Sequence, residues 1–307
     1  MNPTDLFYAV KPLVPRRLQI ALRRRLAARR RLAFAGNWPI DEGCKAPPPE
    51  WRGWPEGKTF ALVLTHDVEK EAGVRRCRLL MRVEEELGFR SSFNFVPERY
   101  RVPPELRREL KLRGFEVGVH GLNHDGKLYR SREIFMARAA RINTYLEEWG
   151  AVGFRSPSMQ HNLEWLHALN IRYDCSTFDV DPFEPQSDGV GTIFPFMVPA
   201  RTPGTHPYVE LPYTLPQDFT LFVILSERDP GIWQRKLDWI AKNGGMALVN
   251  VHPDYVRPAS EPPGLEDYPL SFYRDFLAYA KARHGGSYWH AKPVEVADWV
   301  ARKEGEA

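Results

Sequence analysis

The sequence predicts an α/β fold, a (β/α) barrel of about seven strands behind a basic N-terminal helical extension. Three observations point there. From residue 59 onward, short apolar runs alternate with helical patterns, as parallel strands joined by crossover helices do. Seven or eight such units point to a barrel rather than an open sheet. Asp67, His120, Arg155, Asp174 and His252 each fall at, or just past, the C-terminal end of a separate predicted strand. That end of an α/β barrel carries the active site.

The elements follow in order. In "VPRRLQIALRRRLAARRRLAF", Pro15 can open a helix, and Leu18, Leu22 and Leu26 recur along one face among arginines. Two readings stand: a segment lying on an anionic membrane surface through residues 15–34, or a surface helix packed on the body or on a second subunit. On the first, removing residues 1–35 would leave catalysis on soluble substrates intact. Residues 37–58 are rich in Pro, Gly and Trp, an irregular connector that Trp38, Trp51 and Trp54 should pin down. "TFALVLTH" is the first strand, and residues 70–87 suit a helix stopped by Gly88. "SSFNFV", "FEVGVH", "GFRS" and "IRYDCS" are the next strands, with helices near 104–113, 131–148 and 162–169 between them. Residues 177–220, with many prolines, form a long excursion. "TLFVIL" reads as another strand, "PGIWQRKLDWIAKNGG" as a helix, "MALVNVH" as a late strand and "PLSFYRDFLAYAKARHGG" as a helix. "SYWHA" and "KPVEVADWVARK" close the chain. The expected organisation is an extension over 1–36, a connector over 37–58 and a barrel over 59–307.

Bulk properties narrow the function classes. At 307 residues, 43% hydrophobic and 27% charged, the chain has the make-up of an ordinary soluble enzyme. No apolar run reaches the roughly 20 residues that span a bilayer, and no secretory signal is expected at the N-terminus. Three scattered cysteines, Cys44, Cys77 and Cys175, offer neither a disulfide framework nor a zinc ribbon, and favour the cytoplasm. Residues 1–35 hold nine Lys/Arg against one acid, Asp5, so the rest is mildly acidic, 34 basic against 38 acidic groups. Such a body has no basic face for nucleic acid.

The chemistry concentrates in two stretches. "FALVLTHDVEKEAG" ends an aliphatic run in Asp67 and Glu69, carboxylates that cost several kcal/mol to bury without partners. "VGVHGLNH" places His120 and His124 four apart; if helical there, both rings face one way. Two imidazoles and a carboxylate form a common site for catalytic zinc. Alone, the histidine pair is more often a surface pair than a ligand pair.

With these residues in view, the chain resembles the polysaccharide deacetylases, the NodB-homology group of carbohydrate esterase family 4. The resemblance spans about residues 59–300 and rests on "THDVE" at 65–69, "HGLNH" at 120–124, "RSPS" at 155–158, a loose match around "YDCSTFDVD" at 173–181 and "LVNVH" at 248–252. It implies a distorted (β/α) barrel and a metal-dependent hydrolase, acting on carbon–nitrogen amide bonds, that removes N-acetyl groups from a saccharide. Asp67 matches the general base, Arg155 the residue holding it, His120 and His124 metal ligands, and His252 the general acid. An acid should support His252, with Asp174, Asp179 and Asp181 as candidates. Val68 departs from the pattern by replacing the usual second aspartate. Glu69 is then the expected third ligand for a divalent metal, zinc foremost, although it also suits the cap of the following helix. His66 should point away from Asp67 and pack. The aromatics of 177–220 suit either core packing or a wall for sugar rings. Rival readings are a same-fold hydrolase acting on a cyclic imide, a ureide or an O-acetyl sugar, a metal-free saccharide binder, and an iron oxygenase.

Overall fold

The computed structural model describes residues 14–302; the first 13 residues of the predicted extension and the last five of the chain lie outside them. The first helix, α1 (Arg16–Ala33), follows Pro15 and ends with Arg30 and Arg31 in its last turn, where cations suit the helix dipole. It packs on the body through Ile20 and Ala27, two turns apart and 1% and 4% exposed. Arginines on the same face fasten it: Arg24 Nε donates to Val223 O at 3.0 Å, Arg30 Nη1 donates to Pro182 O at 2.8 Å, and Arg16 and Arg31 pair with Glu266 and Glu227. The Leu18, Leu22 and Leu26 stripe faces out, at 59%, 55% and 51% exposure. The connector does pack down, with Trp38 and Trp54 buried and short 3-10 turns at Glu42–Lys45 and Pro55–Gly57.

The body is one curled sheet wrapped by helices. Its parallel strands are β1 (Phe60–Val68), β2 (Ser92–Phe95), β3 (Glu116–His120), β4 (Gly153–Arg155) and β5 (Tyr173–Asp174). The sheet ends in an antiparallel pair, β6 (Phe196–Val198) and β7 (Tyr208–Glu210). On the other flank of β1 runs β8 (Met246–Asn250). Beyond a small ladder of β9 (Val256–Arg257) and β10 (Tyr268–Pro269), β11 (Tyr288–His290) extends the sheet beside the start of β1. The order is β11-β1-β2-β3-β4-β5-β7-β6, with β8 also on β1. No strand joins β7 to β8 among the described residues. Instead Thr214 and Leu215 donate their N–H groups to Leu248 O, each at 3.1 Å, and draw the two edges together. The result is the expected distorted barrel.

The crossover helices are α2 (Glu71–Leu87), α3 (Pro104–Leu112), α4 (Arg132–Trp149), the short α5 (Leu163–Leu166), α6 (Gly231–Asn243), α7 (Leu270–His284) and α8 (Pro293–Ala301). Gly88 takes a left-handed conformation after α2, as its position in the sequence predicts. One predicted strand is wrong. Residues 219–224 form a π-helix, Phe219–Ile224, buried throughout. β8 already occupies the place beside β1, and a short apolar run carries no periodicity to separate strand from buried helix. The excursion 177–220 is also more structured than a loop, since it contains β6 and β7.

Strand parity decides which layer each side chain enters. On β1 all nine residues are buried. Leu62, Leu64 and Val68 join the core beneath the helices, whereas Ala61 and Val63 join the barrel interior. The inward series continues through Thr65 to Asp67. On β8, Met246 and Leu248 point inward, so Asn250 and then His252 follow them.

Candidate active site

A cavity of about 370 Å³ opens at the C-terminal ends of the strands, lined by Asp67, Glu69, His120, His124 and His252 among others. Four of these were singled out by their place at strand ends or in the histidine motif. The structure brings them together from β1, β3 and the segment after β8.

Asp67 is buried and fully partnered. Its Oδ1 accepts from Asn94 Nδ2 at 3.0 Å and from Arg155 Nη1 at 3.3 Å, and its Oδ2 accepts from Asn250 Nδ2 at 2.8 Å. Burial pushes the carboxyl up, but Arg155, His120 and His252, with the Asn94 bond, overcome it and hold Asp67 well below the usual carboxylate range. Arg155 is itself locked from behind, donating Nε to Cys175 O and Nη1 to Thr65 Oγ1, both at 2.8 Å.

Beside Asp67, one ligand atom each from Glu69, His120 and His124 lies within 4.8 Å of the others. His120 Nδ1 lies 3.0 Å from Arg155 O, which can only accept, so the ring donates there and presents Nε2 to the cavity. Burial lowers the His120 pKa to about 4, which keeps the imidazole neutral as a ligand must be. Residues 121–124 are not helical, contrary to the simplest reading of the motif. They form a tight turn in which Gly121 and His124 have φ of 62° and 53°. A side chain at Gly121 would also meet Pro157 at 2.5 Å. The turn folds His124 back, its ring centroid 5.1 Å from that of His120. A left-handed His costs free energy that the surrounding packing must supply.

Glu69 Oε2 accepts from Tyr255 Oη at 2.5 Å, and its backbone N–H donates to Asp254 Oδ2 at 2.8 Å. Its other oxygen faces His124 Nε2 at 3.2 Å, yet that buried nitrogen makes no hydrogen bond. Burial opposes ionisation of Glu69, but the nearby His124 and His252 and the Tyr255 bond hold its carboxyl well below the usual range. An ionised carboxylate, a neutral imidazole with its outer nitrogen engaged and a buried nitrogen without a partner are the donor set that a divalent ion such as zinc takes. The residues fit. The site also answers the alternative role of Glu69, since the N-cap position of α2 belongs to Lys70.

Across the cavity, His252 Nδ1 bonds Asp218 Oδ1 at 2.6 Å, and the His252 N–H donates to Asp218 Oδ2 at 2.8 Å. Tyr268 Oη also donates to Oδ2, at 2.9 Å. Burial would lower the imidazole, but Asp218 overrides it and raises the pKa to about 10, leaving a protonated ring in the cavity wall. The acid that supports His252 is therefore Asp218. Asp174 instead accepts from Ser176 N at 2.9 Å and Ser176 Oγ at 2.7 Å, beside Glu210, outside the cavity lining. Asp179 takes Lys236 Nζ at 2.6 Å and Asp181 takes Tyr213 Oη at 2.9 Å.

Sequence reasoning also missed Asn94, Asn250 and Tyr255. Two of them were findable. Asn94 is a polar residue near the end of the second strand, and Asn250 stands two before His252 on the same strand face. Gly118 makes room for Asn94, because a Cβ there would meet Asn94 Oδ1 at 2.1 Å. Asp218 and Tyr255 lie in segments without strand pattern, and no sequence signal marks them.

No family model and no curated protein matches the chain. Solved structures do. One from Mycobacterium smegmatis, assigned as a polysaccharide deacetylase, is 22% identical, with a TM-score of 0.59 over 81% of this chain and 92% of its own. The Puue allantoinase is 18% identical, TM-score 0.58, over 82% and 93%. A protein from Pseudomonas aeruginosa PAO1, assigned as a polysaccharide deacetylase, is 18% identical, TM-score 0.57, over 87% and 95%. At these identities the likeness establishes the fold alone, and that fold is shared by structures assigned as polysaccharide deacetylases and by an allantoinase, so it does not by itself fix a chemistry.

Proposed function

We propose that the chain is a metal-dependent amidohydrolase that removes N-acetyl groups from a saccharide. The observation that carries this reading is a single cavity with a three-ligand metal set at its floor, an ionised carboxylate beside it and a protonated imidazole across from it. Glu69, His120 and His124 would hold the divalent ion, which supplies Lewis acidity to a carbonyl and to water when bound. Asp67, kept ionised by Arg155, accepts the proton of the attacking water. Asn94 and Asn250 fix its two oxygens, so it has one orientation to act from. His252 carries its second proton on Nε2, facing the cavity, because Asp218 engages Nδ1. It gives that proton to the departing amine, which could not leave as an anion. Acetate and a free amino sugar result.

Acetate release from N-acetylated oligosaccharides tests the reading. Activity should vanish with chelator and return with zinc. A purified protein that holds no divalent metal, gains none on addition and still binds the sugar would instead be a saccharide-binding relative. The Puue allantoinase likeness makes ring-opening of a cyclic ureide the second reading, and allantoin belongs in the same assay. Cytoplasmic residence is part of the proposal; the three cysteines are all unpaired and buried. So is peripheral contact with an anionic membrane through residues 15–34. Its support is the outward Leu18, Leu22 and Leu26 stripe flanked by Arg17, Arg25 and Arg29. Among the described residues no helix is long and apolar enough to cross a membrane. Replacing the three leucines by serine should abolish co-sedimentation with phosphatidylserine vesicles; unchanged sedimentation rules the contact out.

A further inference from the structure

The mouth of the cavity is built unlike its floor. Arg16, Arg23, Lys70 and Arg99 all reach it. Arg16 is paired with Glu266. Among the described residues the other three have no carboxylate within ion-pair distance, although surface arginines elsewhere are widely paired. Two of them are held over aromatic rings. The Arg23 guanidinium lies 5.0 Å from the centroid of Phe219, and Lys70 Nζ lies 5.4 Å from that of Tyr255. The two rings touch, with centroids 4.6 Å apart, so both cations stand on one continuous ledge above the site. Arg99, in the segment after β2, donates Nη1 to His124 O at 2.9 Å.

Lys70 is also in a costly place. It is the N-cap residue of α2, makes no capping hydrogen bond and sets a cation against the positive end of the helix dipole. Residues that break a local rule tend to mark function. The floor does not need these cations. Asp67, Glu69, Asp218 and Asp254 are matched by Arg155, protonated His252 and a divalent ion when one is bound. Glu184, the nearest carboxyl facing Arg23, accepts from Tyr213 Oη at 3.0 Å and Gln217 Nε2 at 2.5 Å, and burial, with Asp181 adding, pushes its pKa up to about 8.

We propose that the substrate carries a phosphate next to its N-acyl amino sugar, and that Arg23 and Lys70, with Arg99, bind that phosphate and set specificity. Two cations on one ledge and a third from the segment after β2 suit a tetrahedral anion with several acceptor oxygens. This deepens the deacetylase reading and rests on it. The phosphate can belong to a soluble sugar phosphate or to a sugar linked through phosphate to a membrane lipid. Arg23 belongs to the helix whose other face presents the leucine stripe, so both sources reach the same cations.

Calorimetry on the Asp67→Asn protein, with N-acetylglucosamine and its 1-phosphate as probes, tests the proposal without turnover. The phosphate form should bind at least about tenfold tighter. Arg23→Gln and Lys70→Gln should each cut that preference severalfold, Arg23→Lys should retain most of it, and rising salt should erode it. Equal binding of the two sugars, or a preference that survives both glutamine substitutions in folded protein, overturns the proposal. Presenting the same sugar phosphate on a polyprenyl chain in phosphatidylcholine vesicles separates the sources: tighter binding there than in solution assigns the lipid-linked form. Acetate release by the unsubstituted protein keeps the two readings apart. Phosphate preference without acetate release removes the deacetylase and leaves the anion site. Equal release from both sugars removes the anion site and leaves the deacetylase.

Discussion

A histidine and a carboxylate meet on each face of β1, and the two faces differ in one respect. On the outer face, His66 bonds Val251 O at 2.7 Å and Glu84 Oε1 at 2.6 Å, Ser91 Oγ donates to Glu84 Oε2 at 2.7 Å, and Tyr273 Oη donates to Oε1 at 2.6 Å. Every polar atom of that group is spoken for, and all of it is buried. On the inner face, the His124 Nε2 and Arg155 Nη2 atoms are buried without a hydrogen bond, and the cavity lies against His124. A closed polar network stabilises and specifies a fold; an open one keeps capacity for something absent from the chain. Burial and residue type alone would not separate the two. The count of unmet hydrogen bonds does.

That contrast can be broken at several strengths. The largest effect belongs to the closed face. Glu84→Ala strands His66, Ser91 and Tyr273, and should cost about 3–5 kcal/mol of stability; a denaturant midpoint within experimental error of the parent would show the network to be incidental. On the open face, Asp67→Asn, His120→Ala and His124→Ala should each slow deacetylation by at least about 100-fold, with the two histidine variants also losing bound metal. Full activity in any one removes that residue from its assigned role. Asp218→Asn is a finer test. The His252–Asp218 pair stabilises the fold fully below the ordinary histidine pKa, and the contribution fades as pH rises through about 10. Without the carboxylate, the alkaline limb of kcat/KM should move to lower pH; a limb that stays in place would mean that His252 is not the proton donor. The smallest effect is that of chelation, which should lower the melting temperature by a few degrees through the lost binding linkage, and should do so no longer in His120→Ala.

Much of this was legible in the chain. The alternation of apolar runs and helical segments dictates the curled parallel sheet, because strands covered on both faces must read as continuous apolar runs. Of the residues singled out by strand-end placement, Asp67, His120 and His252 line the cavity and Arg155 stands behind Asp67, since inward-facing polar residues that close such runs point to the barrel mouth. Parity predicted that His66 would turn away from Asp67, as it does. What was not legible came from irregular backbone. His124 reaches the site through a left-handed turn, not a helical step. Asp218 arrives just before a π-helix that periodicity reads as a strand, and Asp174, correctly placed on its strand, is satisfied by Ser176 and contributes nothing to the cavity. Tertiary contact between distant segments decides such residues, and local pattern does not record it.

The Arg24-to-Val223 contact reaches further than its single bond suggests. A six-residue π-helix leaves carbonyls that its own ladder does not use, and here one of them is taken by a side chain of α1. The segment so fastened begins right after Asp218. Trimming the chain back to residue 36, a natural choice for anyone isolating the barrel, would therefore strip a wall from the mouth and loosen the backbone that holds Asp218 against His252. On the proposed function, the trimmed protein should show a widened entrance and a blunted alkaline limb, against the sequence-based expectation that removing residues 1–35 leaves catalysis intact.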